Sequence, residues 1–143
     1  HANGDGTGRK RTLAEGERLG LDLLEQFDAT CGLGHLRVLH LNDSIGPRGS
    51  HRDRHAHIGH ANVAKGAFGA ILNHPALRHV PKILETPKGE DEKGRQWDRI
   101  NLATLKRLVR KDPIQVNRAR PASRNSDAIA GTGVGSGRKT ARN

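Results

Sequence analysis

The chain has no methionine, no tyrosine, one tryptophan, two phenylalanines and one cysteine among its 143 residues. Each shortage excludes something. A single cysteine, Cys31, can form no internal disulfide, so a reducing compartment fits and a cytoplasmic setting is expected. So few rings cannot build a stacking platform for RNA or single-stranded DNA. No apolar run approaches the roughly 18 residues of a bilayer span, so no membrane partner is expected. No signal peptide is visible. With His1 first and methionine absent, the chain is expected to be a processed product or a fragment. Its length suits one modest domain and falls short of a complete eight-fold α/β barrel, which takes roughly 250 residues.

What is abundant is positive charge. There are 25 Lys+Arg against 15 Asp+Glu, a formal net charge of +10, with a pI near 10.8. That balance favours a polyanionic partner, nucleic acid above all, contacted through phosphates rather than stacked bases. The alternative is a solvated basic surface.

Residues 1–11 are Gly-rich and polar and read as a loop. Thr12 and Glu15 form a capping-box pattern, and Leu19, Leu23, Leu24 and Phe27 recur at helical spacing up to Gly32, which predicts a helix over 13–30. The run LRVLHL (36–41) suits a buried parallel strand. Residues 42–60 are polar, carry Gly46, Pro47 and Gly49, and read as one long loop. Val63, Phe68, Ile71 and Leu72 predict a second helix closed before Pro75. KILE (82–85) predicts a second strand. Trp97, Ile100, Leu105, Leu108 and Val109 predict a third helix, stopped by Pro113. Strands alternating with helices argue for an α/β fold with a parallel sheet. Two strands do not cover themselves, so the remainder of the sheet is expected upstream.

Residues 1–112 are accordingly expected to form part of one α/β domain, and 113–143 a disordered basic tail. The tail holds six Lys+Arg and one Asp, and its GTGVGSGRKTARN end is of low complexity. It reads either as a solvated extension or as a loose electrostatic arm for DNA.

In barrels of this alternation, chemistry sits where strands end. His40 ends the first predicted strand and Glu85 the second. Asp53 and His55 lie two apart in the polar loop and project to one side of an extended segment, where they could grip one cation. Imidazoles combined with carboxylates suit zinc, with manganese or iron as substitutes. Glu85 could instead cap a helix or pair with Lys82. Of the nine histidines, His35, His51, His57, His74 and His79 read as surface or hydrogen-bonding residues.

The segments LHLNDSIGPRGSHRDRHAHIG (39–59), PKILETPK (81–88) and WDRINLATLKRL (97–108) together closely resemble the C-terminal signatures of the endonuclease IV family of apurinic/apyrimidinic endonucleases, over roughly residues 1–110. The resemblance implies the C-terminal part of a TIM (β/α)8 barrel with three zinc ions at its mouth in the intact enzyme. His1-Ala2 matches the end of the family's D-T-C-H-A motif, which makes His1 a zinc ligand by implication. Asp53 and His55 would share that ion with His1, while His40 and Glu85 would bind a second. Ligands of the third ion lie outside the chain. Arg54, between two ligands, becomes a phosphate contact, or else an outward Arg with no role. The implied activity is metal-assisted hydrolysis of the phosphodiester 5′ to an abasic site in double-stranded DNA, by a monomer, in base excision repair. The 143-residue chain by itself is expected to be inactive.

The chain departs from the family at Ile58-Gly59-His60-Ala61, where the pattern reads I-G-E-G. Ala61 would be strained if its position needs a positive φ, and His60 replaces a carboxylate. The loop before Thr12 is also richer in glycine than the family pattern. Two rival readings remain open at this point. One is a metal-dependent sugar isomerase or epimerase on the same barrel. The other is a non-catalytic basic module that holds nucleic acid through phosphates alone, which would need no ligands at strand ends.

Overall fold

The computed structural model describes residues 11–46 and 49–116. His1 and residues 117–143 of the basic tail therefore lie outside the described residues. The first helix, α1, spans Leu13–Thr30, as its spacing predicts. Thr12 Oγ1 accepts from Glu15 N–H at 3.2 Å, and the Thr12 N–H donates back to Glu15 Oε2 at 2.8 Å, so both partners of the capping box are satisfied. At the far end Gly32 takes φ +81°, a conformation that suits a residue without Cβ. Asp28 Oδ1 then receives the Leu33 N–H at 2.7 Å and starts a single 3-10 turn over Leu33–His35.

Two parallel strands follow, β1 (Leu39–Leu41) and, later, β4 (Lys82–Leu84), in the register Leu39 to Lys82, His40 to Ile83 and Leu41 to Leu84. Both are shorter than predicted. The 3-10 turn holds the chain through Leu36, and Val38 is exposed rather than buried, so LRVLHL pairs only in its second half. Glu85 falls one residue past β4, its N–H bonded to Leu41 O at 3.2 Å. The predicted long loop also contains a small antiparallel pair, β2 (Asp43–Ser44) with β3 (His55–Ala56), which turns the segment back on itself.

Helix α2 (Lys65–Asn73) carries the chain from β3 back to the start of β4, and α3 (Trp97–Lys106) closes the described fold. The apolar spacing predicts that α3 reaches Val109, but the chain leaves the helix in a turn before it. Asn73 holds that turn in place: its Oδ1 accepts from Arg110 N–H at 2.7 Å and its backbone O from Ile114 N–H at 3.2 Å. Ile114 lies beyond the 112/113 boundary drawn from composition, so the described chain stays anchored two residues into the predicted tail.

Helices α1 and α2 meet backbone to backbone. A Cβ on Gly66 would overlap the Leu13 carbonyl oxygen, and one on Gly20 would stand 2.7 Å from Ala70 Cβ. Two apolar clusters form the core: Leu24, Leu33, Leu77 and Val80 under α1, and Leu41, Ile58, Phe68 and Leu105 between β1, α2 and α3. Burial of Leu41 on one side of β1 leaves His40 on the other. Ile83, its register partner, and Glu85, two residues on, share that open side. Among the described residues, no helix is long and apolar enough to cross a membrane.

Candidate metal centre

The parallel register brings the two strand-end residues together. His40 Nδ1 lies 2.7 Å from Glu85 Oε2. The β2–β3 turn, which passes through Gly49 (φ +80°) and His51 (φ +52°), returns the chain so that β3 opens on His55 beside them. His55 Nδ1 stands 3.9 Å from the same Glu85 oxygen, and His55 Nε2 stands 3.0 Å from Asp53 Oδ1. Four of the five ligand candidates thus form one continuous chain of contacts, Asp53, His55, Glu85, His40, with Glu85 Oε2 shared by both imidazoles. The fifth, His1, lies outside the described residues.

Two imidazoles and two carboxylates in contact are the donor types that zinc and similar cations take. Among the described residues, no three His, Cys, Asp or Glu side chains are grouped to hold one ion. The donors therefore fit a metal in chemistry and in pairs. An open cavity of about 570 Å³ lies beside the cluster, with Asp53, Arg54, His55, Glu85, Thr86 and Lys88 in its wall. Arg54 is exposed in that wall. Lys88 is tethered to Asp98, Nζ to Oδ2 at 2.8 Å.

Three supporting residues escape a sequence-level reading. Asp43 is fully buried, and its carboxylate accepts four backbone N–H groups: Ser44 (2.8 Å) and Val63 (2.7 Å) on Oδ1, Gly59 (2.9 Å) and Ala61 (3.0 Å) on Oδ2. An Asp beside Ser reads as a turn residue in sequence, yet here it fixes the loop after β3. Asn101 is buried on α3 and bonds into both segments that carry ligand candidates, through Ile58 N–H and Thr86 Oγ1. A polar residue spaced four from both Trp97 and Leu105, on an otherwise apolar stripe, was the available signal. His57, read as a surface or hydrogen-bonding residue, meets the Asn101 amide nitrogen through Nδ1 at 3.2 Å and is stacked on Trp97, with ring centroids 3.7 Å apart and planes 8° from parallel. Its partial burial lowers its pKa below the usual histidine value; the neighbouring His60 acts in the same sense and Asp98 opposes them. His74, given the same surface-or-hydrogen-bonding reading, is buried.

The departure at positions 58–61 costs the backbone nothing. His51 is the one non-glycine with positive φ among the described residues, so Ala61 needs no left-handed conformation, and its N–H serves Asp43. Gly59 supplies the positive φ (+80°) of that loop. His60 packs edge-on against Trp97, with centroids 5.3 Å apart.

Residues 1–108 match the family model described as xylose isomerase-like TIM barrel. The chain belongs to this family. Its sequence is 46% identical over 86 residues to the probable endonuclease 4 of Oleidesulfovibrio alaskensis, covering 60% of this chain and 28% of that protein. It is 53% identical over 86 residues to the probable endonuclease 4 of Solibacter usitatus, again 60% and 28%. The crystal structure of endonuclease IV from Thermus thermophilus superposes with a TM-score of 0.54 at 33% identity, over 65% of this chain and 32% of that one. The chain thus spans between a quarter and a third of the length of these members of the xylose isomerase-like barrel family. Within that barrel frame, β1 and β4 are neighbouring parallel strands, and the metal candidates sit at the strand ends where barrels carry their chemistry.

Proposed function

We propose that the protein carrying this chain is a zinc-dependent DNA-repair endonuclease of the endonuclease IV type, which hydrolyses the phosphodiester 5′ to an abasic site in duplex DNA. The observation that carries the reading is the Asp53, His55, Glu85, His40 contact chain, whose first three members line a cavity also walled by Arg54 and Lys88. A carboxylate-imidazole cluster beside two cations suits a phosphate diester held between metal and guanidinium. It gives a neutral sugar no such complement. Relatives named endonuclease 4 at 46–53% identity support the same direction.

His40 and Glu85 would hold one ion, and Asp53 and His55, with His1, another. When bound, zinc supplies Lewis acidity toward a phosphate oxygen and a water acidic enough to attack near neutral pH. The protein's own share is placement. Glu85 Oε2 hydrogen-bonds His40 Nδ1 at 2.7 Å and lies 3.9 Å from His55 Nδ1, so one carboxylate oxygen sits within reach of both imidazoles. Arg54, anchored by ligands on either side in sequence, offers a planar cation to a phosphate oxygen. Lesion choice follows from DNA energetics, since a site without a base costs less to unstack, where an intact one costs roughly a few kcal/mol.

The test is cleavage by the complete gene product, with zinc, of a duplex bearing one synthetic abasic site, beside an intact duplex and a panel of ketoses. A nick on the 5′ side of the lesion, leaving a 3′-hydroxyl, is expected. Isomerisation of a ketose without nicking would replace the nuclease reading with the isomerase one. Zinc-independent DNA binding without turnover would favour a non-catalytic module.

A further inference from the structure

We infer that Asn101 is a positioning residue for the metal centre, whose carboxamide sets the spacing between the two chain segments that carry His55 and Glu85. The inference rests on the reading of those side chains as metal ligands. Asn101 sits in the middle of α3 and is 1% exposed. A buried amide is costly unless every polar atom is paired. Here all are paired, and the partners decide which atom is which. Ile58 N–H can only donate, so the atom it meets at 3.0 Å is Asn101 Oδ1. The amide nitrogen then faces Thr86 Oγ1 at 2.9 Å and His57 Nδ1 at 3.2 Å, one partner for each of its two hydrogens. His57 Nδ1 is then the acceptor in that contact.

Each partner belongs to a ligand-bearing segment. His57 and Ile58 follow His55 by two and three residues, and Thr86 follows Glu85 directly. These two segments come from separate strands, and the Asn101 amide ties both to α3 from a single planar group. Helix α3 is itself seated through Leu105 in the same cluster as Leu41, Ile58 and Phe68. The position of His55 relative to Glu85, 3.9 Å from Nδ1 to Oε2, is thus referenced to one rigid helix. A leucine could fill this space without desolvating an amide. What it could not supply is two donors and an acceptor aimed in fixed directions at the two segments.

The test measures zinc binding and geometry rather than turnover, in the complete gene product. Zinc affinity is read by competition with a chromogenic chelator, and ligand geometry by the visible spectrum of the cobalt-substituted protein. Asn101→Ala and Thr86→Val are each expected to weaken zinc by about ten-fold or more and to alter the cobalt bands. Thr86→Ser, which keeps the hydroxyl, is expected to restore both. A merely structural Asn101 would lower the melting temperature of the metal-free variants and leave zinc affinity and the cobalt spectrum at wild-type values, and that result overturns the inference. If Asn101→Ala does not fold, the Thr86→Val and Thr86→Ser pair decides. Failure of the unsubstituted protein to bind zinc overturns the metal reading itself, whereas wild-type affinity in the variants overturns only the role of Asn101.

Discussion

His40 and Glu85 are 45 positions apart in sequence, and their side chains meet at 2.7 Å from Nδ1 to Oε2. The parallel register produces this contact: Leu41 pairs with Leu84, so the residue before one and the residue after the other emerge on the open side of the same two strands. The crossover through α2 supplies the distance in sequence, and the strand pairing removes it in space. His55 joins from the β2–β3 turn and makes Glu85 the residue on which both imidazoles converge.

That convergence sets the first prediction. Chelation with EDTA should abolish cleavage of abasic duplex by the complete gene product, and added zinc should restore it. On the proposed ligand set His55→Ala should lower kcat by at least about a hundred-fold, because losing that imidazole would loosen the ion whose charge is proposed to act on the phosphate. His79→Ala, which alters an exposed histidine before the start of β4, at the other end of that strand from Glu85, serves as the control. A His55→Ala enzyme with wild-type turnover would sink the ligand assignment.

The sequence shows α1 most clearly, because Thr12, Glu15 and Gly32 mark its ends chemically and four apolar residues mark its face. It shows the strands as apolar runs but not their limits, since Val38 is apolar and exposed while Leu36 is held by the preceding turn. The β2–β3 pair is invisible, because two-residue strands have no period to detect. Among the candidate site residues, His40 and Glu85 are picked out by strand ends, and Asp53 and His55 by their spacing. Asp43 and Asn101 are missed because their value lies in backbone donors brought from elsewhere in the chain, which no local pattern records.

Asp43 supports the second prediction. Asp43→Ala strands four backbone donors in a largely buried loop and should cost roughly 3 kcal/mol or more. Asp43→Asn keeps one acceptor oxygen and turns an N–H group toward the other two donors, so it should also destabilise, by about half as much. Urea denaturation of the three proteins gives the comparison. Equal midpoints would mean that water replaces the carboxylate at no cost.

His74 supports the third. Its Nδ1 is buried without a hydrogen-bond partner, and burial lowers its pKa below the usual value of 6.5, with Asp28 pulling weakly the other way. The sign follows from linkage. The unfolded chain takes up the proton at the ordinary pKa, before the folded one does, so stability falls as pH drops from about 6.5 toward the lowered folded value. Above that window His74 contributes no slope. His74→Leu should remove this acid sensitivity and, by removing an unpaired buried acceptor, add about 1 kcal/mol near neutral pH. Denaturation midpoints measured between pH 5 and pH 8, a span chosen around the ordinary histidine pKa, check both; parallel curves for the two proteins would contradict the argument.

The basic C-terminal stretch supports the last prediction, and the structure decides where to cut. Truncation after Asp112 would remove Ile114, whose N–H bonds Asn73 O, and would confuse a charge effect with a folding effect. Truncation after Val116 keeps that anchor and still removes all six Lys+Arg of the tail with its one Asp. If the tail acts only through charge, this deletion should weaken DNA binding at low salt and make the slope of log affinity against log salt shallower, by up to about 0.9 for each phosphate left without its cation. Turnover on saturating abasic duplex should hold, because none of His40, Asp53, His55 or Glu85 is touched. Arg54→Ala gives the contrast. If Arg54 makes the proposed phosphate contact beside the candidate ligands, its loss should shift the slope by about one and lower kcat/KM at every salt concentration. A truncated protein with an unchanged salt slope would show that the tail makes no contact with DNA, and would leave the binding charge to the folded residues alone.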